Sequence, residues 1–237
     1  MKIISLVILV LALVQACAYS EAVKKVARNA DGSVKETVYL VDGKEAAKET
    51  PGVGGAPAVS TGKIPDGLVK EFYDNNTLKA EWNYKDGKLE GTSKEYSAAG
   101  KLAFERTYEE GKLRGITRGY SDSGKLIFEE EYKNDLLNGI KKEYSEAGTL
   151  KAEREYKDGK LDDVTKEYGD DGKLKFETDY KDGKKHGKSI EYHANGKSKY
   201  ESEYGDNKLD GTKKDYAENG NLKFKWNYKN GKLDGVS

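Results

Sequence analysis

The spacing of its tyrosines constrains this chain more than any other feature of the sequence. The first tyrosine series recurs every 24 residues, at Tyr84, Tyr108, Tyr132, Tyr156, Tyr180, Tyr204 and Tyr228. The second series has the same spacing and comprises Phe72, Tyr96, Tyr120, Tyr144, Tyr168, Tyr192 and Tyr216. Glycine follows the period at Gly91, Gly115, Gly139, Gly187, Gly211 and Gly235, with Asp163 in the remaining place. Seven repeats thus fill residues 67–235. Such a period is typical of elongated proteins whose repeats contact only their neighbours, so we expect a long binding surface rather than one deep active site.

The composition limits the core and the partners. Apolar residues make up 35% of the chain and charged residues another 35%, which is too little apolar material for a thick core. The 42 basic and 42 acidic residues cancel. Because no basic excess exists, nucleic acid is not an expected partner, and the charge balance gives no support to binding an anionic membrane surface.

The first residues are typical of a targeting signal. Lys2 precedes an apolar stretch at 3–14, which is short for a membrane span, and the stretch ends in Val14, Gln15, Ala16 and Cys17. This ending resembles the lipobox of bacterial lipoproteins, which implies a signal peptide over 1–17 and a lipid on Cys17, the only cysteine of the chain. Ala18, rather than an aspartate, follows Cys17, and the resemblance then implies the outer membrane. The alternative is an ordinary secreted protein.

Residues 18–66 divide into two parts with different sequence patterns. Asp31-Gly32 and Asp42-Gly43 repeat a spacing that recurs at Asp171-Gly172 and Asp182-Gly183, so we interpret this part as a degenerate hairpin. Residues 45–65 are rich in Ala, Gly, Thr and Pro and hold all three prolines of the chain. This composition predicts a linker.

Within a repeat the side chains alternate as in a half-exposed strand. Leu102, Phe104 and Tyr108 are predicted on one face, and Glu105 and Thr107 on the other. Elsewhere in the repeats, too, Lys and Glu occupy the polar side. That side is expected to be solvated.

Two kinds of turn connect the strands. Asp86-Gly87 and its equivalents favour a two-residue type I′ turn, which sets Tyr84 opposite Leu89. Residues 97–101 favour a three-residue loop with Gly100 in the left-handed conformation, which sets Tyr96 opposite Leu102. Both turns then predict that the tyrosines and leucines share one face. Because Leu89 and Tyr96 are seven residues apart, one extra residue must be absorbed, most simply by a bulge near Gly91.

The predicted fold is therefore all-β: an elongated, single-layer antiparallel meander of seven hairpin repeats over 67–237, with about fourteen strands. Its aromatic face is the candidate binding surface. The candidate residues are Trp82, Tyr84, Tyr96, Tyr108, Tyr120, Tyr132, Tyr144, Tyr156, Tyr168, Tyr180, Tyr192, Tyr204, Tyr216, Trp226 and Tyr228. The same residues are also explained by packing alone.

The most complete copy of the repeat motif is at residues 180–188. It has an aromatic residue, Tyr180, then a turn with Gly183, then His186 and a second glycine, Gly187. This segment resembles the MORN repeat, and the other copies resemble its bacterial variant. The family's glycine shortly after the tyrosine and its frequent His are mostly missing here. The resemblance implies a scaffold for protein or lipid association, and some bacterial members are labelled antitoxin-like; it implies no catalytic residues.

Enzymatic function is not expected. His186 and His193 are the only histidines, both in one repeat, and Cys17 is unavailable once it carries lipid. No metal site and no cofactor are therefore predicted. Two functions remain: a membrane-anchored lipoprotein that binds another protein as a scaffold or adhesin, and a carbohydrate or cell-wall binding module. A third, the antitoxin-like role, requires a cytoplasmic location that Cys17 argues against.

Overall fold

The computed structural model describes residues 21–52 and 57–236, and all regular elements in these ranges are β-strands. The strands are β1 (Ala22–Arg28), β2 (Val34–Val41), β3 (Lys44–Thr50), β4 (Val59–Gly62), β5 (Gly67–Phe72), β6 (Leu78–Lys85), β7 (Lys88–Leu89), β8 (Gly91–Tyr96), β9 (Leu102–Glu109), β10 (Lys112–Leu113), β11 (Gly115–Tyr120), β12 (Leu126–Lys133), β13 (Leu136–Leu137), β14 (Gly139–Tyr144), β15 (Leu150–Lys157), β16 (Lys160–Tyr168), β17 (Leu174–Lys181), β18 (Lys184–Tyr192), β19 (Ser198–Gly205), β20 (Lys208–Tyr216), β21 (Leu222–Lys229) and β22 (Lys232–Val236).

These strands form one open sheet. From β5 onward each strand pairs antiparallel with its neighbours along the chain, as in β5 with β6 and β20 with β21. In the first repeats a short strand such as β7 and the following β8 both pair with β6, whereas in later repeats one long strand, such as β16, replaces the two. The all-β prediction of an open antiparallel sheet with seven hairpin repeats is confirmed.

The backbone of the turns agrees with the two predicted turn types. In the two-residue turn both central residues have positive φ, 50° at Asp86 and 77° at Gly87, which is the type I′ conformation. In the longer loop Gly100 has a φ of 76°, and its N–H donates to the carbonyl of Ser97 at 2.8 Å. That is a type I turn followed by a left-handed residue.

The two tyrosine series lie on opposite faces of the sheet, so the prediction of one shared face is wrong. Side chains alternate along β8 without interruption, which puts Tyr96 on the side of Lys94 and Glu95 on the other. Glu95 lies opposite Phe104, and Tyr108 is on the side of Phe104. We call the two sides the Tyr96 face and the Tyr108 face. The Tyr108 face carries Trp82, Tyr84, Tyr108, Tyr132, Tyr156, Tyr180, Tyr204, Trp226 and Tyr228, and the Tyr96 face carries Tyr96, Tyr120, Tyr144, Tyr168, Tyr192 and Tyr216.

The number of residues absorbed near Gly91 explains the error. Tyr84 lies opposite Leu89, and Glu81 lies opposite Lys94. Between these two pairs, residues 82–83 of β6 therefore face four residues, 90–93, of the opposing chain. The irregularity lies where it was predicted, but it absorbs two residues rather than one. Because two extra residues leave the alternation of side chains unchanged, Tyr96 stays on the face opposite to Leu89.

A second register shift moves the leucine of each repeat. Tyr96 lies opposite Leu102, but Glu95 lies opposite Phe104, so Ala103 is an extra residue in β9. A bulge of this kind brings the residue before it to the other face. Leu102 therefore joins Tyr96, and its predicted grouping with Phe104 is wrong.

Residues 45–65 are not a plain linker, which corrects the prediction made from their composition. β3 and β4 both lie in this segment and pair with each other, and β3 also pairs with β2 across the Asp42-Gly43 turn. The prolines Pro51, Pro57 and Pro65 stand outside the strands. They mark strand boundaries, where a missing N–H does no harm.

The N-terminal strands form a cap on the first repeat. β1 pairs antiparallel with β2 and parallel with β5, so β4, β3, β2 and β1 extend the repeat sheet beyond β5. Their apolar side chains meet the Tyr108 face: the ring of Tyr39 packs edge-on against that of Tyr84, with centroids 5.8 Å apart. Tyr39 belongs with Ala22, Ala47 and Val69 to a buried hydrophobic cluster.

Asp163 provides a test of the backbone strain at the periodic glycine position. Its φ is 82°, in the left-handed region, whereas Gly91, which has a φ of 75°, carries no side chain to strain. We expect Asp163→Gly to raise the free energy of unfolding by about 1 kcal/mol, and Gly91→Ala to lower it by a similar amount. Gly139→Ala is expected to cost more, because Gly139 has a φ of 129°, which a residue with a side chain rarely adopts, and the added Cβ would also displace the Glu131 side chain. Urea unfolding followed by circular dichroism measures all three, and an unchanged or lower stability of Asp163→Gly would contradict the strain.

Deletion of repeats tests the nearest-neighbour architecture. Removal of residues 140–163, one full period, keeps every face and strand direction, so we expect the remaining sheet to fold with a modest loss of stability. Removal of residues 140–151 takes out half a period and reverses the direction of the chain that follows. It should be far more damaging in thermal unfolding, and equal damage from the two deletions would indicate a closed core instead.

Candidate functional site

The margin of the Tyr108 face is a stripe of tyrosine and leucine. Each tyrosine of the first series lies opposite a leucine, as Tyr108 does with Leu113 and Tyr156 with Leu161, except that Tyr180 lies opposite Lys185. Burial raises the pKa of the Tyr108 phenol above its ordinary value. The side chains of the stripe are half-buried, apart from the exposed Leu233, and the stripe runs through all seven repeats.

The middle row of the Tyr108 face varies from repeat to repeat. Cross-strand pairs place its members side by side in the order Trp82, Ser93, Arg106, Thr117, Glu130, Lys141, Arg154, Thr165, Thr178, Ser189, Ser202, Lys213 and Trp226. Large side chains occupy most of the row. Four neighbouring strands, β16 to β19, instead carry only the small hydroxyl residues Thr165, Thr178, Ser189 and Ser202.

An open cavity of about 350 Å³ lies over these four residues. Its floor is the hydroxyl row. Tyr180, Lys185 and Tyr204 line it on the side of the tyrosine stripe, while Glu167, Phe176, Glu191 and Tyr200 line the other side. Lys213 closes one end. The cavity exists because four small side chains lie next to one another, whereas Ser93 and Thr117 both lie beside Arg106; the space above the four stays empty.

The hydroxyls of the cavity floor are not equally satisfied. Thr178 and Ser189 hydrogen-bond to each other at 2.8 Å. Thr165 is only 7% exposed, and its Oγ1 has no hydrogen-bond partner among the described residues. A buried hydroxyl without a partner costs about 1–3 kcal/mol. Thr165 thus leaves hydrogen-bonding capacity unused at the floor of the cavity.

The charged residues of the cavity balance. Two glutamates, Glu167 and Glu191, face two lysines, Lys185 and Lys213. The ammonium of Lys213 lies 5.5 Å from the ring centroid of Tyr200, and that of Lys185 lies 5.5 Å from the ring of Tyr204. These cation–π contacts hold the lysines against the walls, so the floor stays open.

The Tyr96 face is a solvated ionic surface. Its middle row alternates in charge over nine strands, from Glu81 and Lys94 to Lys166 and Glu177. Pairs on this face, such as Arg118 Nε and Glu129 Oε1 at 2.9 Å, are partly exposed to solvent and each contribute about 0–1 kcal/mol.

The second tyrosine series is tied into this ionic row. The phenol of Tyr96 donates to Glu81 Oε2 at 2.8 Å, and that of Tyr168 donates to Glu153 Oε2 at 3.0 Å. Burial, together with the carboxylates of Glu81 and Glu105, raises the pKa of Tyr96 to about 12. The same contact recurs at Tyr120, Tyr144 and Tyr216. These candidate residues are thus engaged in the sheet itself and do not extend the Tyr108 face.

The tryptophans differ in their surroundings. Trp82 packs against the hydrophobic cluster of the N-terminal cap, and its Nε1 donates to Glu71 at 3.1 Å. Burial opposes ionisation of Glu71, but hydrogen bonds from Lys79 and Trp82 and the charge of Lys24 outweigh it, so its carboxyl pKa lies below the ordinary value. Trp82 and Tyr84 are therefore core residues. Trp226 instead stacks on Phe224 at 5.5 Å.

The remaining residues that the sequence analysis singled out are the two histidines and Cys17. His193 Nε2 lies 3.0 Å from the carbonyl of Tyr216 in the next repeat, and His186 Nδ1 lies 3.5 Å from Asp206. No cluster of His, Cys, Asp or Glu that could hold a metal occurs within 21–52 and 57–236. Across those same ranges, no helix is long and apolar enough to cross a membrane. Cys17 lies outside the described residues.

Sequence analysis missed the hydroxyl floor, because it considered the residues that are the same in nearly every repeat. The floor is formed by residues that differ between repeats. Position 178 is Thr where the two preceding repeats have Glu130 and Arg154, and the next repeat has Ser202. Four small hydroxyl residues in adjacent strands become visible only when the middle row is aligned across the sheet.

The comparison with known families agrees with this architecture. The profile described as the MORN repeat variant matches seven times, at residues 65–86, 89–110, 113–134, 137–158, 164–182, 185–206 and 209–230. No curated protein matches the chain. The seven matches cover well over half of the 237 residues and coincide with the hairpins of the sheet. The chain therefore belongs to the family of the MORN repeat variant.

Proposed function

We propose that this protein is a non-catalytic binding protein, anchored to the outer membrane of a bacterium through a lipid on Cys17, and that it binds another protein along the Tyr108 face. The repeats of this family form a non-catalytic module that commonly serves binding or scaffolding. The antitoxin-like role is set aside, because it needs a location that a lipidated Cys17 would not allow.

The tyrosine–leucine stripe is the observation that carries the binding proposal. It offers an aromatic or aliphatic side chain on strand after strand, while the Tyr96 face offers alternating charges. Half-buried aromatic residues contribute most to protein interfaces, whereas exposed ion pairs contribute little. A partner that extends across several repeats would contact the same pair, such as Tyr132 and Leu137, again in each repeat.

Tyrosines on the two faces provide a matched test of this surface. We expect Tyr132→Ala and Tyr156→Ala to weaken binding about tenfold each, because each removes an aromatic contact worth more than about 1 kcal/mol. Tyr144→Ala and Tyr168→Ala remove the same side chain from the Tyr96 face and should leave binding unchanged. The partner is first captured from an envelope extract, and affinities are then measured for variants that circular dichroism shows to be folded. Loss of binding in the Tyr144 and Tyr168 variants alone would assign the site to the ionic face.

The sequence around Cys17 supports the anchor. An apolar stretch, a small residue before the cysteine, and the absence of any other cysteine together favour lipid attachment over a disulfide or a metal site. Acyl chains contribute about 0.8 kcal/mol per buried methylene, and stable anchoring takes more than one chain. Removal of the thiol should therefore abolish anchoring rather than weaken it slightly.

Cys17→Ser tests the anchor in cells. We expect the variant to leave the membrane fraction and to take up no labelled palmitate, while the repeats stay folded. Ala18→Ser serves as the control, because it changes the neighbouring residue and keeps the thiol. Membrane retention and labelling of Cys17→Ser would show that the protein is held in another way, and a labelled protein in the medium would favour secretion.

A further inference from the structure

The cavity over β16 to β19 has the features of a built site. Four small hydroxyl residues form its floor, and the buried Oγ1 of Thr165 has no hydrogen-bond partner within the described part of the chain. Its volume of about 350 Å³ falls at the lower end of the range for small-ligand sites, about 300–1,000 Å³. Small residues in four adjacent strands, rather than a gap in packing elsewhere, create the space.

The groups around this cavity match a ligand rich in hydroxyls. The floor hydroxyls of Thr178 and Ser202 both donate and accept hydrogen bonds, the carboxylate of Glu167 accepts only, and the lysines donate only. A sugar hydroxyl also donates and accepts, so it can pair with any of these groups. Phe176, which is 39% exposed, supplies an apolar ring at the wall against which the C–H face of a sugar can pack.

The charges of the cavity favour an uncharged ligand. Glu167 and Glu191 offset Lys185 and Lys213. Glu191 is also held by Lys199 at 2.6 Å, outside the cavity floor. A phosphate or a sulfated sugar would bring its negative charge close to both glutamates, while only two lysines, each placed against a tyrosine ring, would attract it.

We propose that the cavity formed by Thr165, Thr178, Ser189 and Ser202 binds one or two rings of an uncharged polysaccharide. This goes beyond the proposed protein binding along the tyrosine–leucine stripe and does not depend on it. The ligand lies across the strands, with its hydroxyls on the cavity floor and on Glu167 and its apolar face against Phe176. One hydroxyl pairs with Thr165 Oγ1.

The first experiment fills the cavity with a side chain that the sheet already accepts. Thr178→Arg places arginine where Arg154 and Arg106 stand one and three repeats earlier, so the variant should fold. Thr107→Arg is the matched control: it adds the same side chain and charge to the Tyr96 face. The full chain is titrated by calorimetry with hexasaccharides of β-1,4-glucose, α-1,4-glucose, mannose and β-1,4-N-acetylglucosamine. We expect one of these sugars to bind, Thr178→Arg to weaken that binding at least tenfold, and Thr107→Arg to change it less than twofold.

A second variant separates binding from packing. Thr165→Val replaces the unpartnered hydroxyl with a methyl group of similar size. We expect it to raise the melting temperature of the free protein and yet to weaken sugar binding severalfold, a combination that a purely structural role would not give. Unchanged binding in Thr165→Val or in Thr178→Arg would overturn the proposal.

Two other results would also overturn it. If none of the four sugars binds the wild-type chain, the cavity is not a saccharide site. If instead a peptide library yields ligands that Thr178→Arg excludes, the ligand class is wrong. The protein partner of the tyrosine–leucine stripe is measured with the same variants, and its binding is expected to persist in Thr165→Val. Failure of the sugar site and failure of the proposed function are thereby told apart.

Discussion

Backbone conformation at the turns sets the geometry of the whole sheet. Each repeat contains one two-residue turn with two positive φ values and one loop that ends in a left-handed residue, which is Asn76 in the first repeat and a glycine in the others. Each turn fixes which residues lie opposite one another, and a fixed register decides which face every side chain occupies. Because the same two turns recur every 24 residues, a row of side chains continues from repeat to repeat without drifting from one face to the other.

Much of this could be predicted because the signals are local. The Asp-Gly pairs and the loop at 97–101 indicate their turn types, and the pairings of Tyr84 with Leu89 and of Tyr96 with Leu102 follow. The number of residues absorbed near Gly91 is not local information. It depends on how β6 and β8 pair, and an error of one residue exchanges the faces of every side chain beyond it. The prediction of one continuous aromatic face failed for this reason.

The N-terminal cap and the cavity escaped prediction for different physical reasons. The parallel pairing of β1 with β5 joins segments that are far apart in sequence, so no local turn motif predicts it. Residues 45–65 also lack the alternation of apolar and polar side chains that identifies a strand. The cavity, in contrast, follows from the repeats themselves. It lies where Thr178 and Ser202 interrupt a row of large side chains, and its position becomes apparent only after the register has assigned the middle row to one face.

The hydrophobic cluster of the cap makes one end of the sheet more stable than the other. Ala22, Tyr39, Ala47 and Val69 are buried together beside the first repeat. In the described part of the chain beyond that repeat, the buried side chains are polar, such as that of Thr117, apart from that of Ala152. Repeats that contact only their neighbours open one after another, and the order follows local stability. Amide protons near the cap should therefore exchange most slowly, and exchange should become faster with distance from it. Unfolding of the protein would therefore start at the end of the sheet farthest from the cap and proceed toward it.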